Sequence, residues 1–352
     1  MSDRLQLGLC RDLFDENGTL IFSDSGLDLL DDLSDLEYRI FPQFLPEITP
    51  GQIQGCDVVI TAKAGWTARS LAGNEQLVAV LFTGVGYDHI DVAALNEAGV
   101  MLCFSPDAVR RPMAVAIITF ILALAMRVVD KDRLVREGKW TEREGYHGTG
   151  LTGKTLGSLG VGNIGREMFE LAAPFGMHHI AYDPFLAPEA VTDTGVRLVD
   201  METVFRESDF LSISMPLNEQ TRHLIGEDEL KKMKDTAYLI NTSRGAIVDE
   251  AALITALREG WIRGAGLDVF EEEPVPPENP LLQMANVVVA PHCLGHTDEF
   301  FTGSWEQKVR QATQILHGEN PEALVNRQVL ENPALQDRLR RLADRYAQAE
   351  MI

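Results

Sequence analysis

Short apolar runs alternate with polar or amphipathic segments along most of this 352-residue chain. In the first hundred residues, five runs have the length and composition of β-strands, at residues 5–10, 38–41, 56–62, 77–82 and 100–104. An acidic helical segment (27–33) follows the first run, and Asp91 precedes a short helical pattern that ends at Gly99. This alternation predicts a parallel sheet with helices on both faces.

The same alternation returns after residue 155. Strand patterns are found at residues 155–159, 179–182, 209–214, 237–241, 264–269 and 287–290, and helical patterns at 249–258 and 297–317. Segment 111–128 is apolar almost all round, which predicts a buried helix between two domains, and 131–150 is a polar excursion. We predict a first domain at 1–104, a second at 105–297, and a return of 298–352 to the first, with a charged helical tail from residue 332. The fold class is α/β: a dinucleotide-binding doubly wound parallel sheet and a smaller flavodoxin-like domain.

A glycine motif lies between the first strand and the first helix of the second domain. Gly160, Gly162 and Gly165 have the G-x-G-x-x-G spacing, the helix begins near Asn163, and the next strand ends at Asp183. This arrangement predicts a dinucleotide site, with the pyrophosphate on the helix N-terminus and both adenosine ribose hydroxyls on the aspartate. A 2′-phosphate would meet that carboxylate without a neighbouring cation. NAD is therefore favoured over NADP.

The charge balance restricts the possible partners. The formal net charge is −22, which argues against nucleic acid or an anionic membrane as a partner. The four scattered cysteines form no CxxC pair, so we expect reduced thiols, no zinc or other metal site, and a cytoplasmic protein. The N-terminus lacks the pattern of a signal peptide. The apolar segment 113–126 is too short to span a bilayer before Arg127 and predicts a buried helix.

Three predicted strand ends carry side chains that can move a proton or hold an anion. Arg244 follows the strand AYLIN, Glu273 follows LDVFEE, and His292 follows VVVAP. Together with LGSLGVGNIG and FTGVGYDHID, the segments NTSRG, DVFEEEP and APHCLG resemble the D-isomer-specific 2-hydroxyacid dehydrogenases. The resemblance extends over about residues 56–326. It implies a hydride transfer between NAD and C2 of a small anionic 2-hydroxy or 2-oxo acid.

The resemblance also implies individual roles. Arg244 would hold the substrate carboxylate and polarise the 2-oxo group, His292 would be the acid/base, and Glu273 would fix and stabilise its imidazolium. Backbone N–H groups of Val85 and Gly86 would bind the substrate carboxylate, and Lys63 would lie in the substrate loop with Trp66. Residues lining the cofactor would be Asn163, Ile164, Met215, Pro216, Thr242, Ser243, Asp268 and Gly295.

Several further residues have an open role. Arg110 and Arg111 are expected at the start of the interdomain helix, where they are either a solvated turn or a site for a second substrate anion. His296 and Cys293 flank the histidine motif and are expected to pack beside it. Trp140 either lies in a subunit interface or enters the partner's active site, and the expected assembly is a homodimer across 111–150. The sequence departs from the family at Ala114-Val115, where Ala-Glu is common, and at His296.

Two other functions remain open at this stage. One is a non-catalytic NAD-sensing protein like the C-terminal-binding-protein corepressors, which keep the same three side chains. The other is oxidation of a different small anion, as in formate or phosphite dehydrogenases. Formate enzymes carry glutamine where this chain has Glu273, which argues against that substrate.

Overall fold

A computed structural model describes residues 4–21 and 25–349. The chain divides into two compact units. The first unit contains Met1–Val109 and Thr297–Ile352, and the second contains Arg110–His296. The predicted C-terminal tail is helical as far as Ala349, and its last three positions, 350–352, lie outside the described residues.

The first unit is built on a five-stranded parallel sheet. Its strands are β1 (Leu5–Leu9), β2 (Leu36–Ile40), β3 (Val58–Thr61), β4 (Ala79–Phe82) and β5 (Met101–Cys103). They are ordered β2-β1-β3-β4-β5, the order of a flavodoxin-like sheet. Every residue of β3, β4 and β5 is buried, which explains why these strands read as continuous apolar runs.

Helices from both ends of the chain cover this sheet. They are α1 (Ser25–Asp31), α2 (Pro50–Ile53), α3 (Val92–Glu97), α10 (Asp298–Leu316) and α11 (Pro333–Ala349). Asp91 caps α3 by accepting a hydrogen bond from the Ala94 N–H, as its position in the sequence predicts. Helix α1 approaches α10 closely, because a Cβ on Gly26 would lie 2.5 Å from the Trp305 ring.

The second unit is built on a seven-stranded parallel sheet. Its strands are β6 (Thr155–Leu159), β7 (His178–Tyr182), β8 (Arg197–Leu198), β9 (Phe210–Ile213), β10 (Tyr238–Asn241), β11 (Gly264–Leu267) and β12 (Val287–Val289). The order is β12-β11-β10-β9-β6-β7-β8. The strand order reverses between β6 and β9. In open parallel sheets, ligands bind in the crevice beyond the carboxyl ends of the strands at such a reversal.

The helices of the second unit precede or connect these parallel strands. They are α4 (Pro106–Met126, beginning in the first unit), α5 (Val128–Arg136), α6 (Asn163–Ala172), α7 (Met201–Glu207), α8 (Glu227–Lys232) and α9 (Glu250–Glu259). Asp249 caps α9 through the Ala252 N–H. The polar excursion after α4 contains α5 and a 3-10 turn at Trp140–Gly145.

Helix α4 is longer than its apolar pattern indicates. It begins at Pro106, so it has 21 residues and is long and apolar enough to cross a membrane by length and composition. Half of its most apolar 18-residue stretch is buried within the protein. Phe120 packs so tightly on the sheet that a Cβ on Gly266 would lie 2.8 Å from its ring. The prediction of a shorter segment was wrong, but the helix packs as a core helix does.

Candidate active site

The turn from β6 to α6 depends on two of its three glycines for its shape. Gly160 has φ of +97°, and a Cβ there would lie 2.4 Å from the Ser214 carbonyl oxygen. A Cβ on Gly165 would lie 2.9 Å from the Gly160 carbonyl oxygen, so helix and turn pack closely. Gly162, by contrast, faces open space, because a Cβ there would have no atom within 4 Å. That space lies at the N-terminus of α6, whose free N–H groups favour an anion.

Asp183 lies beyond β7 and is bound to this turn. Its Oδ2 accepts a hydrogen bond from the Val161 N–H (3.0 Å), and its Oδ1 accepts one from the Phe185 N–H (3.0 Å). A carboxylate has about four acceptor positions, so these two bonds orient the group and leave capacity for ligand hydroxyls. Asn163 and Ile164 form the first turn of α6, where Asn163 is exposed and Ile164 packs on the core. The donor set of this turn fits a dinucleotide.

The loops after β9 and β10 are joined by a side-chain hydrogen bond. The Ser243 hydroxyl donates to the Met215 carbonyl oxygen, with Pro216 exposed beside it and Thr242 half-buried. Asn241 closes the second loop on itself: its Oδ1 accepts from the Ser243 N–H (3.0 Å), and its Nδ2 donates to the Arg244 carbonyl oxygen (2.9 Å). These bonds fix the backbone from which the Arg244 side chain extends.

Gly245 brings the Arg244 loop against the loop that follows β11. A Cβ on Gly245 would lie 1.9 Å from the Phe270 carbonyl carbon and 2.4 Å from the Glu271 nitrogen. Backbone atoms cannot move aside as a flexible side chain can, so glycine is required here. Arg244 is half-buried, and its Nη1 donates to the Ser243 carbonyl oxygen at 2.9 Å. Its charge lies close enough to lower the pKa of Glu273.

His292 and Glu273 form a close pair. His292 Nδ1 and Glu273 Oε2 are 2.6 Å apart, and Glu273 Oε1 accepts the Phe270 N–H at 2.9 Å. Burial raises the pKa of Glu273, but the hydrogen bonds from His292 and Phe270, together with the Arg244 charge, outweigh burial and lower it. In the part of the chain that the structure describes, no group is hydrogen-bonded to His292 Nε2. The carboxylate thus fixes one ring nitrogen and leaves the other available.

Asp268 holds the His292 loop through hydrogen bonds from the loop's backbone N–H groups. Its side chain is 2% exposed, and its Oδ1 accepts the N–H groups of Cys293 (3.0 Å) and Leu294 (3.2 Å), while its carbonyl accepts that of His292 (2.8 Å). Burial raises the pKa of this carboxyl, and the two backbone donors act against burial. These bonds hold His292 in a left-handed conformation, with φ of +53°. The implied contact between Asp268 and a nicotinamide carboxamide stays a prediction.

Gly295 ends this loop beside helix α4. A Cβ there would lie 2.3 Å from the Met113 sulfur, so the glycine lets the loop pack on the helix. His296 and Cys293 lie on either side, exposed and half-buried respectively. Burial, and then the charge of Asp268, raise the pKa of the Cys293 thiol.

Arg110 and Arg111 lie in the second turn of α4. The expectation that they begin the helix was wrong, because the helix starts at Pro106. Both contact one buried carboxylate: Arg110 Nε is 3.3 Å and Arg111 Nη1 is 2.6 Å from Glu167. Glu167 lies on α6, so the two arginines attach α4 to the dinucleotide helix.

The sequence-predicted substrate residues of the first unit follow β3 and β4. Lys63 is exposed, whereas Trp66 is fully buried in the core and therefore does not line a substrate loop. Val85 and Gly86 lie in the glycine turn after β4. Asp12 was not predicted from the sequence: its Oδ2 accepts the N–H groups of Ala62, Lys63 and Ala64 at 2.6–3.1 Å. Its position, as a polar residue just beyond β1, was a usable signal.

The fold and the side chains of the second unit define a dinucleotide-dependent dehydrogenase. Residues 118–293 match the model of the D-isomer specific 2-hydroxyacid dehydrogenase, NAD binding domain. A glyoxylate reductase of Thermococcus litoralis is 39% identical over 87% of this chain and 95% of its own. A D-3-phosphoglycerate dehydrogenase of Methanocaldococcus jannaschii is 37% identical over 78% of this chain and 52% of its own.

Solved structures agree with these relatives. The NAD-complexed form of a D-isomer specific 2-hydroxyacid dehydrogenase from Lactobacillus delbrueckii ssp. bulgaricus superposes with a TM-score of 0.73. It is 26% identical and covers 91% of this chain and all of its own. The chain belongs to the D-isomer specific 2-hydroxyacid dehydrogenase family, and it is an NAD-dependent oxidoreductase.

Proposed function

We propose that this enzyme reduces a small 2-oxo acid, with glyoxylate as the first substrate to test, and oxidises the corresponding 2-hydroxy acid in reverse, as the D enantiomer where C2 is a stereocentre. The His292–Glu273 pair beside Arg244 carries the proposal, because a carboxylate-supported imidazole and a guanidinium are the groups this reaction needs. The relatives named as glyoxylate reductases support a substrate with a small C2 substituent.

Each side chain has one role in the proposed reaction. Bound NADH supplies the hydride that C2 receives. Arg244 grips the substrate carboxylate with its planar guanidinium and polarises the 2-oxo group, and we assign the N–H groups of Val85 and Gly86 to the same carboxylate. His292 Nε2 donates the proton that the C2 oxygen gains, and Glu273 stabilises the imidazolium before transfer. In the oxidative direction His292 takes that proton back.

The proposed cofactor contacts follow the turn described above. We assign the pyrophosphate to Gly160, Gly162, Asn163, Ile164 and Gly165, and the adenosine ribose to Asp183. We assign Met215, Pro216, Thr242, Ser243, Asp268 and Gly295 to the remaining cofactor surface, and Lys63 to the substrate loop. All four cysteines are free thiols, which supports a reducing, cytoplasmic location.

Steady-state oxidation of NADH, followed at 340 nm with a panel of 2-oxo acids, tests the function. We expect turnover of glyoxylate or hydroxypyruvate with NADH. Turnover of the same acids with NADPH should be much lower. Formation of the D enantiomer, measured by chiral chromatography for a substrate with a stereocentre, completes the test. Absence of turnover with every 2-oxo and 2-hydroxy acid would contradict the proposal.

Asp183→Ala is expected to weaken NADH binding about tenfold and to relax discrimination against NADPH, because the carboxylate both binds ribose hydroxyls and repels a 2′-phosphate. The ratio of kcat/KM values for the two cofactors measures this. Asp183→Asn is the matched variant: its side-chain oxygen can still accept the Val161 N–H, so it separates charge from support of the turn. An unchanged cofactor ratio in both variants would reject the assignment.

We further propose a homodimer that forms through the region after α4. Large apolar side chains are exposed there: Val128 (52%), Val129 (51%), Val135 (58%) and Trp140 (61%). Exposed apolar side chains of this size are typical of a subunit interface, and they support an interface role for Trp140. Light scattering should give twice the chain mass of 39.0 kDa. The double variant Val128→Glu/Val135→Glu, with its changes seven residues apart, should yield monomers. An unchanged mass would show that this face is not the dimer interface.

A further inference from the structure

One lysine of the first unit is completely buried without a carboxylate partner. Lys308 lies on α10 and is 1% exposed, and its Nζ donates to the Phe82 carbonyl oxygen (3.2 Å), the Ser105 hydroxyl (2.7 Å) and the Ser304 hydroxyl (3.0 Å). Among the described residues, no carboxylate forms an ion pair with it. An ammonium has three donors, and three neutral oxygens use all of them.

The lysine contacts the backbone that leads into the glycine turn. Phe82 is the last residue of β4, and Thr83-Gly84-Val85-Gly86 follow directly. Ser105 contacts the same segment twice, because its hydroxyl also lies 3.3 Å from the Phe82 oxygen and its N–H donates to the Gly84 oxygen (2.9 Å). The Thr83 N–H is bound to the Thr61 oxygen (2.8 Å). Hydrogen bonds therefore fix the backbone from the Phe82 carbonyl to the Gly84 carbonyl, directly before Val85.

Gly84 makes the turn dependent on this support. Its φ of +136° is a conformation that glycine adopts readily, and a Cβ there would lie 3.1 Å from the Phe82 ring. Glycine lowers the cost of the turn but leaves its backbone free to adopt other conformations. Hydrogen bonds to the carbonyl groups before and at Gly84 therefore select the orientation in which the next N–H groups are presented.

Burying such a charge costs stability. Burial lowers the pKa of Lys308 to about 7, and the nearby Cys103 acts in the opposite direction. Below pH 7 the ammonium is charged in both folded and unfolded chains, and the folded state bears the full cost of burying it. A methionine of similar length would fill the same space without that cost. Residues that break a local rule in this way concentrate at functional sites.

We propose that Lys308 is a positioning residue that, with Ser105, orients the Val85–Gly86 N–H groups for the carboxylate of the substrate. This inference rests on the proposed function of that turn. It assigns to α10 a role in substrate affinity that is separate from the acid/base group and from the cofactor. Lys308 itself touches neither substrate nor cofactor.

Lys308→Met tests the inference because stability and function should move in opposite directions. We expect the melting temperature to rise, with the gain largest at pH 7 or below and shrinking as the pH approaches 10.5, the ordinary pKa of lysine. Oxamate carries a carboxylate next to an amide carbonyl and so resembles a 2-oxo acid. The KM for the 2-oxo acid and the Ki of oxamate should each rise about tenfold. The Kd of NADH should stay unchanged and kcat should fall less than KM rises. A purely structural lysine would not give this split.

Three further variants complete the experiment. Lys308→Gln keeps a donor for the Phe82 oxygen and should recover part of the affinity for oxamate. Ser105→Ala should raise KM, whereas Ser304→Ala, which removes an acceptor that contacts no atom of the turn, should not. Equal KM values in wild type and Lys308→Met, or equal effects of the two serine changes, would overturn the inference. The wild-type assay shows separately whether the proposed function fails. If Lys308→Met does not fold, the two serine variants decide.

Discussion

Replacement of His292 by asparagine is expected to lower kcat for 2-oxo acid reduction by about 10²- to 10⁴-fold while NADH binds with nearly wild-type affinity. The variant removes the only ring nitrogen proposed to donate a proton to the C2 oxygen. Asparagine is preferred to alanine because His292 has φ of +53°, which asparagine tolerates. Stopped-flow measurement of kcat, with fluorescence titration of NADH, provides the two numbers.

The chain contains an unusually close control for this variant. His223 also has a left-handed backbone (φ +52°) and a ring nitrogen 2.6 Å from a glutamate, Glu271, and its side chain is 46% exposed, as is that of His292. His223→Asn therefore removes a histidine–glutamate pair of the same separation, although His223 makes the contact through Nε2 and His292 through Nδ1. We expect it to keep most activity. A similar loss in both variants, or loss of NADH binding in His292→Asn, would show that the effect is structural.

The elements with clear end signals were predictable from the sequence. Thr297, Asp91 and Asp249 begin α10, α3 and α9, because each side chain accepts a hydrogen bond from an N–H group of the first turn. The start of α4 was missed, because the polar residues 107, 110 and 111 hide a helix that continues from Pro106. The strand β8 and the helices α7 and α8 have only two, seven and six residues, which is too short for a periodic apolar pattern to be distinct.

Side-chain partners were less accessible than side-chain types. Sequence alone places a glutamate run and a histidine at two strand ends, but only the folded backbone decides that Glu273 reaches His292 and Glu271 reaches His223. Likewise, the pattern of α10 predicts a helix, but it does not predict that the Lys308 side chain is buried. Contacts between segments hundreds of residues apart, such as Lys308 with Phe82, depend on the order of strands in a sheet. No local pattern encodes that order.

Replacement of Arg244 by lysine is expected to lower kcat/KM for the 2-oxo acid about a hundredfold, which corresponds to about 2.7 kcal/mol of transition-state stabilisation, with little change in the Kd of NADH. Lysine keeps the positive charge beside Glu273 but cannot form two parallel hydrogen bonds to a carboxylate. Steady-state kinetics over a range of 2-oxo acid concentrations, with NADH titration, measures both effects.

Arg258→Lys is the matched control, since Arg258 is exposed near the end of α9 in the same unit. It should leave both constants unchanged. Because Gly245 fixes the Arg244 loop against the backbone of Phe270 and Glu271, the lysine should start from an undisturbed Cα position. A loss therefore reports on the guanidinium itself. Equal weakening of NADH and 2-oxo acid binding in Arg244→Lys would instead assign this side chain to the cofactor.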